Sequence, residues 1–226
     1  MSTVTVPRHH AEDTAPVTVG RRERKKQATR AALSRAAVRL SLEHGVENVT
    51  VEQIADAADV SLRTFFNYFS SKEEAVVAGD AARGEMLVDE LTARPAAESP
   101  LTALQAAVHA FVDDLVSGER REALQMMRRS TALLPHQLAA YAATEQALAV
   151  AIAERVGEEV PDAGLDDDGA ERPVGLYPAL VAAVVMAGVR VAVQRWSDGG
   201  SRDLTALHEV VGEVFEHLGA LRAREQ

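Results

Sequence analysis

The chain has 226 residues, 47% of them hydrophobic and 26% charged, the composition of a water-soluble globular protein with room for two small domains. It contains no cysteine, which excludes a disulfide framework, a thiolate nucleophile and a cysteine-based zinc site, and fits a reducing cytoplasm. The net charge of −10 is unevenly spread, with ten Lys/Arg against six Asp/Glu in residues 21–72 and thirteen against twenty-six in residues 73–226, so charge that seeks phosphate is confined to one end.

Residues 1–20 are polar, carry Pro7 and Pro16 and lack the apolar run of a signal peptide; a disordered tail is expected there. His9 and His10 stand without further ligands nearby, so they read as tail composition, and no metal or other cofactor is expected. From Arg21 the run RRERKKQATR opens a long helix. Its core face is Leu33, Ala36, Ala37 and Leu40, and it ends near His44 with Gly45 as C-cap. Lys25 and Lys26 in its first turns are positioned to meet phosphate.

Three helix starts then follow within residues 50–74. Thr50 with Gln53 forms a capping box, in which hydroxyl and amide each satisfy a backbone N–H, and Val49 with Ile54 forms a hydrophobic staple. Val60 and Phe65 repeat the staple around Ser61, and Ser71 with Glu74 gives a third box. Val51, Ile54, Ala55 and Ala58 fall at i, i+3, i+4 and i+7, one buried stripe. In the next helix, expected over 62–69, Phe65, Phe66 and Phe69 are expected to face inward. Arg63, Thr64, Asn67 and Tyr68 then face outward, as a recognition helix requires. Arg can bond guanine or phosphate, Thr and Asn can reach base edges or phosphate, and a Tyr hydroxyl can grip the backbone.

A helix over 72–91 joins this head to the body, closed by residues 95–100 with their two prolines. Helices are expected over 101–116, 119–134 (ended by Pro135), 136–156 (ended by Gly157), 176–196 and 204–221. Residues 158–174 are rich in Pro, Gly and Asp and are expected to form an acidic loop. Its DDDG stretch resembles a calcium loop, but aligning Gly169 as the turn glycine puts Gly164 and Gly175 where acidic ligands are required, so calcium is excluded. The longest apolar run, 176–189, stops at Arg190 and is too short to span a bilayer, so no membrane partner is expected. No strand alternation occurs, and the fold class is all-α: a three-helix head at 21–72 and a helical bundle at 73–226.

Arg30 to Val76, RAALSRAAVRLSLEHGVENVTVEQIADAADVSLRTFFNYFSSKEEAV, resembles the TetR family of bacterial transcriptional regulators through its first helix, helix-turn-helix and start of the fourth helix. Two positions depart from the family pattern. Asp59 replaces the usual turn glycine, a residue type that tolerates the left-handed conformation, and Phe66 replaces a common phosphate-binding Tyr. The resemblance implies a homodimer on a palindromic double-stranded DNA operator, with repression relieved by a small ligand in the body. It implies phosphate contacts from Thr50, Ser61, Thr64, Tyr68 and Lys72. Arg63 and Asn67 are the candidates for base readout. The body from about Pro135 to Leu221, with its VAVQRW segment, resembles an acyl-CoA-responsive actinobacterial branch of the family.

A pocket needs apolar walls with a few polar groups, and the candidates are His109, Phe111, Met127, Arg128, Tyr141, Arg190 and Trp196. The two arginines suit an anionic head group such as that of acyl-CoA. The helices beginning at Leu176 and Leu204 are the expected dimer surface. The reading is a cytoplasmic, ligand-responsive repressor. An architectural DNA binder is the alternative within DNA binding, disfavoured by the acidic body. A helical enzyme is the alternative outside it, and the sequence carries no recognisable catalytic motif.

Overall fold

The computed structural model describes residues 20–113, 118–158, 174–198 and 204–223, and these contain nine α-helices, one 3-10 turn and no strand. The helices are α1 (Arg21–His44), α2 (Val51–Ala57), α3 (Leu62–Phe66), α4 (Lys72–Ala93), α5 (Pro100–Asp113), α6 (Gly118–Arg129), α7 (Leu134–Val156), α8 (Leu176–Asp198) and α9 (Leu204–Ala223), with the 3-10 turn at Val46–Asn48. The expected all-α fold is therefore found. The N-terminal tail (residues 1–19) and the acidic loop with its rejected calcium motif (159–173) lie outside the described residues, as does the expected last turn of α5.

The head closes around Leu33, Ala37, Val46, Val49, Ile54, Phe65 and Phe69, all buried. Gly45 ends α1 as expected, at φ 85°, its N–H returning to the Ser41 carbonyl at 2.9 Å. The Arg30 guanidinium covers the Phe69 ring, 5.0 Å from its centroid, and ties α1 to the end of the helix-turn-helix. α4 packs on α1 at one end and on α5 and α7 further along, so one helix belongs to both head and body. In the body α7 also packs on α8, α8 on α9, and α9 on α5.

Several boundaries differ from expectation for local reasons. Pro135 does not end α6; it occupies the first turn of α7, where its missing N–H has no helical partner to lose. α6 stops five residues earlier than expected, at Arg129. α3 ends at Phe66, and Asn67 is its C-cap. Arg190 interrupts the apolar run but not α8. The helix runs on to Asp198, 23 residues with a mean hydropathy of 2.0 over its most apolar window, so by length and composition it could cross a membrane. The expectation that this segment is too short is corrected on that point.

Candidate nucleic-acid interface and body cavity

The helix-turn-helix is held by the caps that the sequence encodes. Thr50 Oγ1 accepts from the Gln53 N–H at 3.3 Å while Gln53 Oε1 accepts from the Thr50 N–H at 2.9 Å, the reciprocal box in full. Ser61 Oγ accepts from the Thr64 N–H at 3.1 Å and shares a 2.8 Å hydrogen bond with the Thr64 hydroxyl. Between α2 and α3 the chain turns through Asp59 at φ 54°, the only positive φ outside glycine among the described residues. The expectation that aspartate would tolerate this turn is met.

At the third cap the pairing differs from the expected box. Ser71 Oγ does accept from the Glu74 N–H, at 3.1 Å. The Glu74 carboxylate, however, reaches past Ser71 to the backbone N–H and the hydroxyl of Ser70, each at 2.7 Å. Burial alone would raise the Glu74 carboxyl, but these two hydrogen bonds, with Arg30 close by, hold it below its ordinary 4.5.

The candidate DNA-contacting side chains separate into two groups. Lys25, Lys26, Thr50, Ser61, Arg63 and Asn67 are exposed, and Thr64 is half-buried at the first turn of α3. Tyr68 is half-buried, its ring packed on the head core. Lys72 behaves differently. Its ammonium donates to the carbonyls of Val46 (2.8 Å), Val49 (2.9 Å) and Glu47 (3.3 Å), which matches its three N–H groups to three acceptors. It gathers the turn before α2 onto the first residue of α4. Phe66 also departs from expectation: it is 54% exposed, because Phe65 already fills the inward position and the next residue is rotated about 100° away.

The body contains a cavity with about 960 Å³ of empty space including its open mouth, walled by α4, α5, α6, α7 and α8. Leu87, Phe111, Leu124, Met127, Met186, Val189 and Val193 supply the apolar lining. Five of the residues picked from sequence line it: Phe111, Met127, Arg128, Tyr141 and Arg190. Burial pushes the Tyr141 hydroxyl up against the lowering pull of Arg190 and Arg128. Arg190 is exposed and has no ion pair among the described residues.

Arg128 lines the cavity but is already engaged, its guanidinium forked onto Asp198 with two contacts of 3.0 Å. It belongs to a row on α6 that closes the C-terminus of α8, where helix carbonyls lack partners. Arg121 Nη2 donates to the Ser197 carbonyl at 3.2 Å and Gln125 Nε2 to the same oxygen at 2.6 Å. The expectation for Trp196 is corrected: it does not line the cavity but is buried beside that row, with the Arg121 guanidinium 5.3 Å from its ring centroid. His109 is likewise outside the cavity. Its Nδ1 lies 2.6 Å from His208 Nδ1 across the α5–α9 contact, and His208 Nε2 lies 2.8 Å from Asp113 Oδ1. Burial and the neighbouring His208 hold His109 below its ordinary 6.5.

Sequence reading missed the polar groups that α4 and α7 give the cavity. Arg83, 5% exposed, forms an ion pair with Asp80. Gly84 follows it where α4 packs on α7, and a Cβ there would stand 3.0 Å from Thr144 Cβ and Cγ2 and closer still to its hydroxyl. Gln137 Nε2 donates to the Met127 carbonyl at 2.7 Å. The Asp80–Arg83 spacing of three on one helix was a signal available in the sequence.

The family model described as bacterial regulatory proteins of the tetR family matches residues 33–78, and one described as the MftR C-terminal domain matches residues 98–166. The HTH-type transcriptional regulator TcmR of Streptomyces glaucescens is 35% identical over 207 residues, covering 88% of this chain and 86% of its own. The chain belongs to the TetR family. Its members are transcriptional regulators and not enzymes. The TetR fold is shared with Thermus thermophilus FadR, solved with lauroyl-CoA, at 22% identity and a TM-score of 0.53, over 83% of this chain and 91% of that one. It is shared equally with SmeT of Stenotrophomonas maltophilia, solved with triclosan, at 23% identity and a TM-score of 0.53 over 83% and 91%. As a TetR-family protein this chain is a DNA-binding regulator, with α2 and α3 as its helix-turn-helix.

Proposed function

We propose that the protein is a repressor that binds a palindromic operator as a homodimer and is released by a hydrophobic, anionic effector held in the body cavity. The observation that carries this reading is α4, which connects the two halves. Its first residue, Lys72, holds the turn before α2, and its later turns place Asp80, Arg83 and Gly84 on the cavity wall. A molecule entering between α4 and α7 therefore has a direct mechanical route to the helix-turn-helix. A coupling of about 1–3 kcal/mol along that route would change operator affinity 5- to 150-fold.

On the DNA, Arg63 and Asn67 read base edges in the major groove, Thr50, Ser61, Thr64 and Tyr68 contact phosphate, and Lys25 and Lys26 add charge along α1. Lys72 positions the α2 entry rather than competing for phosphate. The basic head above an acidic body orients the approach. For the effector, apolar walls with Arg190 free at the mouth favour an amphipathic anion of the acyl-CoA kind. The lauroyl-CoA in FadR and the triclosan in SmeT support an apolar ligand for this fold.

Support for the dimer comes from α8. Leu176, Leu180, Val184 and Val191 form an exposed apolar stripe at spacings of four, four and seven, 41–76% accessible, next to α9. Such a stripe on a helix this apolar calls for a partner, and a two-fold four-helix contact with α8 and α9 of a second copy supplies one. Pairing would set two α3 helices about 34–36 Å apart, one DNA turn. Operator DNA lies in the cytoplasm, where the protein would act. The test is selection of bound sequences from a random duplex pool, followed by titration with acyl-CoAs. An inverted repeat that is released by at least one of them supports the reading; enrichment without dyad symmetry, or indifference to every acyl-CoA, removes the corresponding half.

A further inference from the structure

α3 leaves two large apolar side chains in solvent, Leu62 (39% exposed) and Phe66 (54%). They are one turn apart and form a single flank beside Arg63, since residues four apart share a helix face. Isolated surface apolar groups need no explanation, but these two interrupt a helix whose other outward groups, Arg63 and Asn67, are polar. Phe66 is not loosely held. Its ring meets the fully buried Phe65 edge-on, with centroids 5.5 Å apart and planes at 87°, so the head core sets where it projects.

A phenyl ring has no atom with which to hold a phosphate oxygen, and covering phosphate with it would strip water from a charge without replacement. The major groove offers one apolar feature at the base edges, the C5-methyl of thymine. We propose that Phe66, with Leu62 beside it, is a specificity-determining residue that packs on a thymine methyl next to the bases read by Arg63 and Asn67. The inference rests on α3 entering the major groove and adds one base identity to each half-site.

The experiment uses the full-length protein and its selected operator, with each thymine replaced singly by deoxyuridine, which deletes only the methyl. Affinities are read by fluorescence anisotropy at one fixed salt concentration. Losing a buried methyl corresponds to about a fourfold weakening. The wild-type protein should show that loss at one thymine in each half-site. Phe66→Ala should bind thymine and uracil operators equally, and Phe66→Leu, which keeps an apolar group, should retain part of the difference. Specific binding that ignores every methyl, or an unchanged methyl effect in Phe66→Ala, overturns the proposal. Failure to select any sequence is a separate outcome and defeats the groove reading itself.

Discussion

Arg63 and Asn67 stand free on α3 while Lys72 is occupied, and substitutions should separate these roles. Arg63→Ala and Asn67→Ala should each cost about 1–3 kcal/mol of discrimination at one base pair and leave the fold unchanged. Lys72→Met should instead lower stability by about 2 kcal/mol, because the carbonyls of Val46 and Val49 lose a charged donor. Its operator affinity should keep the wild-type salt slope, whereas Lys25→Ala and Lys26→Ala should each reduce that slope by about 0.9. Thermal unfolding and binding titrations over a range of salt concentrations separate the two outcomes. Glu74 gives a pH signature at the same site. Its folded carboxyl is held below 4.5, so its contribution is complete above 4.5 and is lost as pH falls through the depressed value. Glu74→Gln should therefore be less stable at neutral pH and show a flatter acid limb in melting temperature against pH.

Contacts between helices fix how the head and body communicate. Gly84 leaves α4 and α7 no room for an added methyl. Gly84→Ala should push the helices apart, cost about 1–3 kcal/mol in stability and shift operator affinity in the absence of any effector, measured by melting and anisotropy. At the α5–α9 contact His109 is held below 6.5, so its contribution is complete above 6.5 and declines as pH drops below it. His109→Gln should flatten the fall in stability as pH drops below 6.5. The sequence disclosed these elements unevenly. Caps at Thr50, Ser61 and Ser71 were readable because a hydroxyl and the N–H it serves lie three residues apart, within one local pattern. Phe66 was misplaced because three phenylalanines in five residues look alike in composition, and only the rotation of a five-residue helix decides which one the core admits. Trp196 and His109 were misassigned because their partners, Arg121 and His208, lie 75 and 99 residues away, and no local pattern carries that pairing. Arg83 was overlooked because an i,i+3 pair on a charged helix ordinarily faces water.

Charge is segregated along the sequence, with the basic excess in residues 21–72, and α8 carries an exposed apolar stripe. If that stripe is the two-fold contact, Leu180→Asp with Val184→Asp should yield a monomer by sedimentation. Affinity for an inverted repeat should then fall toward that of a single half-site. The arrangement depends throughout on one helix of five residues entering a groove of duplex DNA in a sequence-dependent manner. The most direct measurement is footprinting of the wild-type and the Arg63→Ala/Asn67→Ala double variant on the selected operator. The wild-type protein should give a bounded footprint with dyad symmetry, and the variant should lose it while general, salt-sensitive binding persists. A footprint that survives unchanged in the variant, or uniform coating by the wild-type protein, would contradict sequence-dependent entry into the groove.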